Sequence, residues 1–242
     1  MELLNRRKAL ASSALILLPA MAGIALWNRL PGGNGPEKLA FCLGTPAAML
    51  ATHWLCLWLT FRTNRQNGQS KKALELVYWL LPCVSLFCSA GTCAVALDVK
   101  LGWERLVPAS LGLMFLVIGN YMPKMKQNPT LGIRLPWTLA NEENWARTHR
   151  AGGRMWVAGG LALLVFCLLP ETAMIAGMLA VIAVLAVAPC VYSYRLYRAQ
   201  VQNGSWNATL RRSKADRMVA AAVLAILAAA AVGTFVLLFT GD

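Results

Sequence analysis

The residues whose types and spacing could do chemistry are concentrated between Gly119 and Trp156, in the stretch GNYMPKMKQNPTLGIRLPWTLANEENWARTHRAGGRMW. Within it Glu142, Trp145 and His149 fall at i, i+3 and i+7, which brings a carboxylate, an indole and an imidazole to one face of a helix. A carboxylate beside an imidazole can relay a proton, so Glu142 and His149 form a candidate acid–base pair. Zinc generally takes three or four protein ligands and these two residues supply only two, so neither a metal nor a cofactor is expected. Glu143, Arg147, Arg150 and Arg154 follow an i, i+4, i+7, i+11 pattern about 100° further round the same helix. Glu143 and Arg147 stand in the favourable order for an ion pair. With Arg134, the guanidinium row could hold acidic groups of a partner, or lipid phosphates, through paired hydrogen bonds.

The local sequence says which elements must position these groups. Asn141 is a good N-cap, and Glu142 and Glu143 lie in the first turn, where the helix dipole favours carboxylates. A short helix is expected from there to Arg150, ended by the pair Gly152 and Gly153. Upstream, Pro123, Pro129, Gly132 and Pro136 interrupt the chain too often for a helix. Two readings of this segment stay open. It is either a specific site or a basic loop whose Tyr121, Trp137, Trp145 and Trp156 anchor it at a membrane interface.

The membrane enters because everything around the segment is apolar. The 242 residues are 58% hydrophobic and only 14% charged, with a mean hydropathy of +0.54, whereas a soluble domain is about a quarter charged. The apolar residues come in runs at 10–27, 39–61, 73–97, 106–122, 155–169, 172–194 and 218–239. Most of these approach the roughly 20 residues that cross a bilayer. The fifth is short, but Gly152 and Gly153 can extend it while Arg154 snorkels. Residues 155–192 are too long for one span, so Pro170-Glu171 is expected to be a tight hairpin.

Between the runs, Lys and Arg number 3, 2, 4, 2, 6, 0, 6 and 0, which accounts for all 23. This alternation satisfies the positive-inside rule with the N-terminus in the cytoplasm and the C-terminus outside. The expected fold is therefore an all-α polytopic membrane helical bundle of about seven transmembrane helices. The net charge of +13 follows from topology and from attraction to anionic lipid head groups, with no call for nucleic-acid binding. The twin arginine and apolar run at the N-terminus fit an uncleaved first span better than a signal peptide, since another span follows.

Inside the spans, ionisable groups are nearly absent. Glu75 can reach the interface. His53, near the middle of the second span, is either a proton-relay or ligand residue or a neutral imidazole bonded to a neighbouring helix; with no carboxylate at its depth, the second reading is preferred. Pro19, Pro46, Pro82 and Pro189 should kink their helices. Ala221, Ala225, Ala229 and Gly233 make a small-residue stripe on the last span. The seven cysteines, Cys42 to Cys190, all lie in spans without a C-x-x-C pair and are expected to be small buried hydrophobes. No phosphate-cradling glycine loop or G-x-S-x-G elbow occurs.

The charged segment also resembles the signature of the SdpI-type immunity family, bacterial membrane proteins that protect cells from a secreted sporulation-delaying toxin. The matching pieces are Gly119-Asn120-Tyr121-Met122-Pro123-Lys124, Gly132-Ile133-Arg134, Pro136-Trp137-Thr138-Leu139, Glu142 or Glu143 with Trp145, and Thr148-His149-Arg150 before Gly152-Gly153. With its flanking spans the likeness covers about 106–195. That divides the chain into an N-terminal three-helix half (1–105), the resembling region with its cytoplasmic loop 123–154, and a basic loop with an added last span (196–242). Family members often carry a proline-and-histidine motif in the first outer loop; here Leu30-Pro31 stands without the histidine. The resemblance implies an inner-membrane, multi-pass immunity protein that is not an enzyme. It would bind or neutralise a membrane-active peptide, hold a cytoplasmic repressor at the membrane, or both. The alternative is a small transporter or lipid-handling protein without proton coupling, suggested by the kinked helices and basic face.

Overall fold

The computed structural model describes residues 5–30, 35–67, 70–99, 102–128 and 131–207. Every regular element among them is helical: α1 (Arg6–Ala25), α2 (Gly35–Asn67), α3 (Lys71–Ala96), α4 (Trp103–Tyr121), α5 (Pro136–Ala140), α6 (Glu142–Phe166) and α7 (Glu171–Gln202). Short 3₁₀ turns follow α1 at Trp27–Arg29 and α4 at Met122–Lys124. Five helices, α1, α2, α3, α4 and α7, are long and apolar enough to cross a membrane. Many of their large apolar side chains, such as Leu10, Met21, Leu113, Leu179 and Val187, face outward. Outward-facing leucines are the arrangement hydrocarbon permits and water penalises.

The helices pack in two groups, α1 with α2 and α3, and α4 with α6 and α7, while α3 and α4 touch only sparingly. In the first group Pro19, Pro46 and Pro82 are buried against neighbouring helices. Lys8 pairs with Glu75, and the Tyr78 hydroxyl accepts from the Asn5 amide at 2.9 Å, closing the end expected in the cytoplasm. His53 is fully buried, with Nε2 2.8 Å from Ser12 Oγ on α1. The Ser12 hydroxyl donates to the Ala9 carbonyl at 3.0 Å, so the imidazole donates to Ser12. The ring is bonded to the adjacent helix.

A glycine register holds the second group together. A Cβ built on Gly112 would stand 2.9 Å from the Gly160 carbonyl oxygen, and one on Gly160 would stand 2.6 Å from that of Gly112. Gly119 and Gly153 repeat this reciprocal contact seven residues on, at 2.8 and 2.6 Å. The two pairs let the backbones of antiparallel α4 and α6 touch over two turns, the close approach that small residues permit in membrane helices.

Three expectations change. Gly152 and Gly153 do not end a helix at Arg150: α6 runs unbroken to Phe166, because its glycines receive α4, Met122, Pro123 and Ile133 rather than a turn. The fifth predicted span is the second half of this helix, whose first half is polar, and α6 is not among the five apolar crossings. The seven cysteines are free, but only Cys42 is buried, and Cys83 and Cys88 lie on the outside of the bundle. The hairpin at Pro170 is present, with Pro170 capping α7. The predicted span 218–239 with its alanine stripe, the C-terminal location, and the Pro31 and Pro129 positions lie outside the described residues.

Candidate functional site

Helix α7 has 32 residues, about 48 Å at 1.5 Å each, against a hydrocarbon core of about 30 Å. A straight crossing would leave some of its turns outside the hydrocarbon, and its last turns form, with the first turns of α6, a scaffold onto which residues 122–128 and 131–140 fold. The result is a compact platform with a polar interior.

Asn144 is its hub. This fully buried carboxamide donates to Gln200 Oε1 at 3.1 Å and to the Ser193 carbonyl at 3.3 Å. It accepts from Ser193 Oγ at 3.1 Å and Thr148 Oγ1 at 3.2 Å, so both ends are satisfied. Trp137 Nε1 donates to the same Ser193 hydroxyl at 2.8 Å, giving a directed chain from α5 through α7 to α6. Gln200 passes on to Glu143 Oε2 at 3.3 Å. The Trp137 ring stacks on Tyr197 with centroids 5.7 Å apart, and Tyr194 and Trp206 extend the aromatic cluster. Fully satisfied buried networks specify one arrangement, since any shift would orphan a polar group.

A second set of bonds fastens the proline-and-glycine segment to α6. Trp145 is 1% exposed, and its indole N–H donates to the Met125 carbonyl at 2.9 Å. His149, stacked on Trp145 at 4.0 Å, accepts the Ile133 amide on Nε2 at 2.9 Å. Its Nδ1 therefore carries the proton, donated to the Trp145 carbonyl at 2.9 Å. Burial, partly offset by that backbone bond, pushes the imidazole pKa down to about 4. Gly132 precedes this contact at φ +103°, where any Cβ would run into His149 and lie 3.0 Å from Trp145. The Thr138 hydroxyl accepts the Leu135 amide at 2.9 Å and donates to the Ile133 carbonyl at 2.7 Å, fixing the turn before Pro136. Asn141 caps α6 through the Asn144 amide at 2.7 Å and reaches the Asn207 carbonyl at 2.7 Å.

The structure thus sorts the candidate residues into two sets. Trp145 and His149 are buried in the interior, Trp137 is half-buried against it, and the exposed Gly132 lays its backbone on His149 and Trp145. Asn120, Pro123, Lys124, Pro136, Glu142, Glu143, Arg147, Arg150 and Arg154 are exposed, and Arg134 is half-buried. Pro123 packs on Gly153 from outside. Arg147 is held by Glu143 at 3.1 Å as the spacing predicts, leaving the exposed Arg150 and Arg154 to face outward one turn apart. Lys124 lies over the Tyr121 ring at 5.0 Å. His149 has both ring nitrogens engaged with backbone groups, so it offers no base to a proton relay with the exposed Glu142. Trp145 is no interfacial anchor either, since it is buried in the platform, and Trp156 packs against Phe115 at 4.9 Å. The sequence alone singled out neither Asn144, Ser193 nor Gln200, and Thr138 and Thr148 entered only as parts of the matching signature. Their signal was polar residues at helical spacing, Asn144 with Thr148 and Ser193 with Gln200, facing one another across α6 and α7.

Comparison with known proteins takes in much of this region and extends beyond it. Residues 124–193 match the SdpI/YfhL protein family. Over 208 residues the chain is 23% identical to the Immunity protein SdpI of Bacillus subtilis (strain 168), covering 79% of this chain and 97% of that protein. No solved structure matches.

Proposed function

We propose, from this likeness to the SdpI/YfhL family, that the protein is a multi-pass immunity protein of a bacterial inner membrane, protecting the cell against a membrane-active peptide. One observation carries the reading. The family match at 124–193 overlaps the platform up to Ser193, where the buried side chains hold its shape and the exposed Arg150 and Arg154 face outward. Such a division suits a protein that binds rather than reacts. The exposed Arg150 and Arg154 would meet acidic groups of a partner by bidentate hydrogen bonds, and Arg147, already neutralised by Glu143, would contribute less. A cytoplasmic repressor tethered at the platform is the further partner this reading admits. The three-part division at 105 and 195 follows it, with the second part as the binding region.

Expression of the gene in a sensitive strain should raise the peptide concentration needed to kill, and deletion in the native host should lower it. Killing curves that stay superimposed across a panel of membrane-active peptides would overturn the reading. Within it, Arg150→Ala with Arg154→Ala should abolish protection or partner retention while leaving the protein in the membrane at normal abundance.

A further inference from the structure

A cleft of about 520 Å³ opens sideways between α3 and α4, at the seam where the two helix groups meet most sparingly. Its lining is almost wholly apolar, and its one hydroxyl, on Ser110, already donates to the Val107 carbonyl at 2.8 Å. Water has no polar partners there to hold it. On α4 the cleft runs from Val107 to Val117, about 15 Å of helix, or half of a hydrocarbon core of about 30 Å. That is the depth one acyl chain occupies within one leaflet.

The cleft also has a chemically distinct end. On α3, Lys72 stands at i with Leu76, Trp79 and Cys83 at i+4, i+7 and i+11, so a lysine heads that wall. On α4, Ser110, Met114 and Val117 lead at the same spacing to Tyr121, whose ring carries the Lys124 ammonium at 5.0 Å. The two helices run antiparallel and the 3₁₀ turn bearing Lys124 packs on α3, which brings both lysines to the same mouth. Both are exposed. The carboxylate nearest along α3, Glu75, is already engaged by Lys8 and by the Trp79 indole at 3.4 Å. A greasy slot one leaflet deep with a cationic, aromatic mouth matches one amphiphile better than an all-apolar helix or a second copy, neither of which uses the lysines.

We infer that the α3–α4 cleft is a binding site for an anionic phospholipid, one acyl chain lying between the helices and the phosphate between Lys72 and Lys124. The site meets the platform only at the turn bearing Lys124, and it does not depend on what Arg150 and Arg154 bind. It explains how two helix groups with little direct contact stay apposed: a lipid completes the seam.

The test is native mass spectrometry of the purified full chain titrated with phosphatidylglycerol and with phosphatidylcholine. The wild type should retain phosphatidylglycerol preferentially. Lys72→Gln with Lys124→Gln should lower that preference by roughly fivefold per lysine, and the Lys→Arg pair should restore it. Both positions are exposed, so these variants keep the fold; unchanged circular dichroism and elution verify that. Ser110→Trp, which fills the cleft, should lose both lipids. An unaltered preference in the glutamine pair would overturn the proposal. So would a lipid-free dimer, or a retained apolar peptide, that the Ser110→Trp variant abolishes, since the cleft would then be a protein interface.

Discussion

His149 joins two backbone groups from opposite ends of the folded segment, and its protonation would break one of them, because a charged imidazole cannot accept the Ile133 amide. The unfolded chain takes up that proton near 6.5 and the folded chain only near about 4. Between those values the unfolded state binds more protons, so the contribution is complete above pH 6.5 and is lost as the pH falls toward 4. The loss amounts to about 3 kcal/mol, spread over that window. Amide exchange of residues 131–135 followed from pH 7.5 to 4.5 should accelerate through it; a flat profile would show that the ring is not held as described. Gly132→Ala should be worse than any pH change, costing roughly 3 kcal/mol or more from the strained φ and the clash with His149 and Trp145. Replacing Asn144 by leucine leaves Ser193, Thr148 and Gln200 short of partners at once, and should cost about 3 kcal/mol by thermal unfolding in detergent.

Among the elements, α6 joins two environments: a polar first half inside the platform, and a second half sealed to α4 by glycines. The seam makes a sharp prediction. Gly153→Ala or Gly160→Ala places a methyl within 2.6 Å of a carbonyl oxygen on α4, and the backbones must separate. Gly44→Ala on α2 meets nothing within 4 Å and should be neutral or stabilising by up to about 1 kcal/mol, the ordinary helix propensity difference. Equal melting temperatures for the three variants would remove the case for the α4–α6 register.

Across the whole molecule, the arrangement depends on the platform lying on the cytoplasmic side. Glu142, exposed on the platform's outer turn, supplies a probe. In a cysteine-free background, Glu142→Cys should react with a membrane-impermeant maleimide only after the cells are opened. Ready labelling in intact cells would invert the topology and remove the platform from any cytoplasmic partner. The cationic mouth at Lys72 and Lys124 would invert with it, so the same measurement fixes which leaflet the cleft samples.

Much of this was legible in the chain itself. Long apolar runs fixed an all-helical membrane fold because hydrocarbon admits only backbone that satisfies its own hydrogen bonds. The Asn141 cap, the Glu143–Arg147 pair and the Pro170 hairpin depend on neighbours within a few residues, and their spacing alone predicts them. Gly152 and Gly153 read as a helix end because local propensity cannot see α4 across the seam. His149 with Glu142 read as chemistry because helical spacing cannot see Ile133 arriving from 16 residues upstream. Asn144, Ser193 and Gln200 meant nothing apart and became a hub only when α6 and α7 met. Local order follows from short-range sterics and solvation, which the sequence writes directly. Burial of a polar group is decided by which distant partner reaches it, and only the tertiary structure brings that partner in.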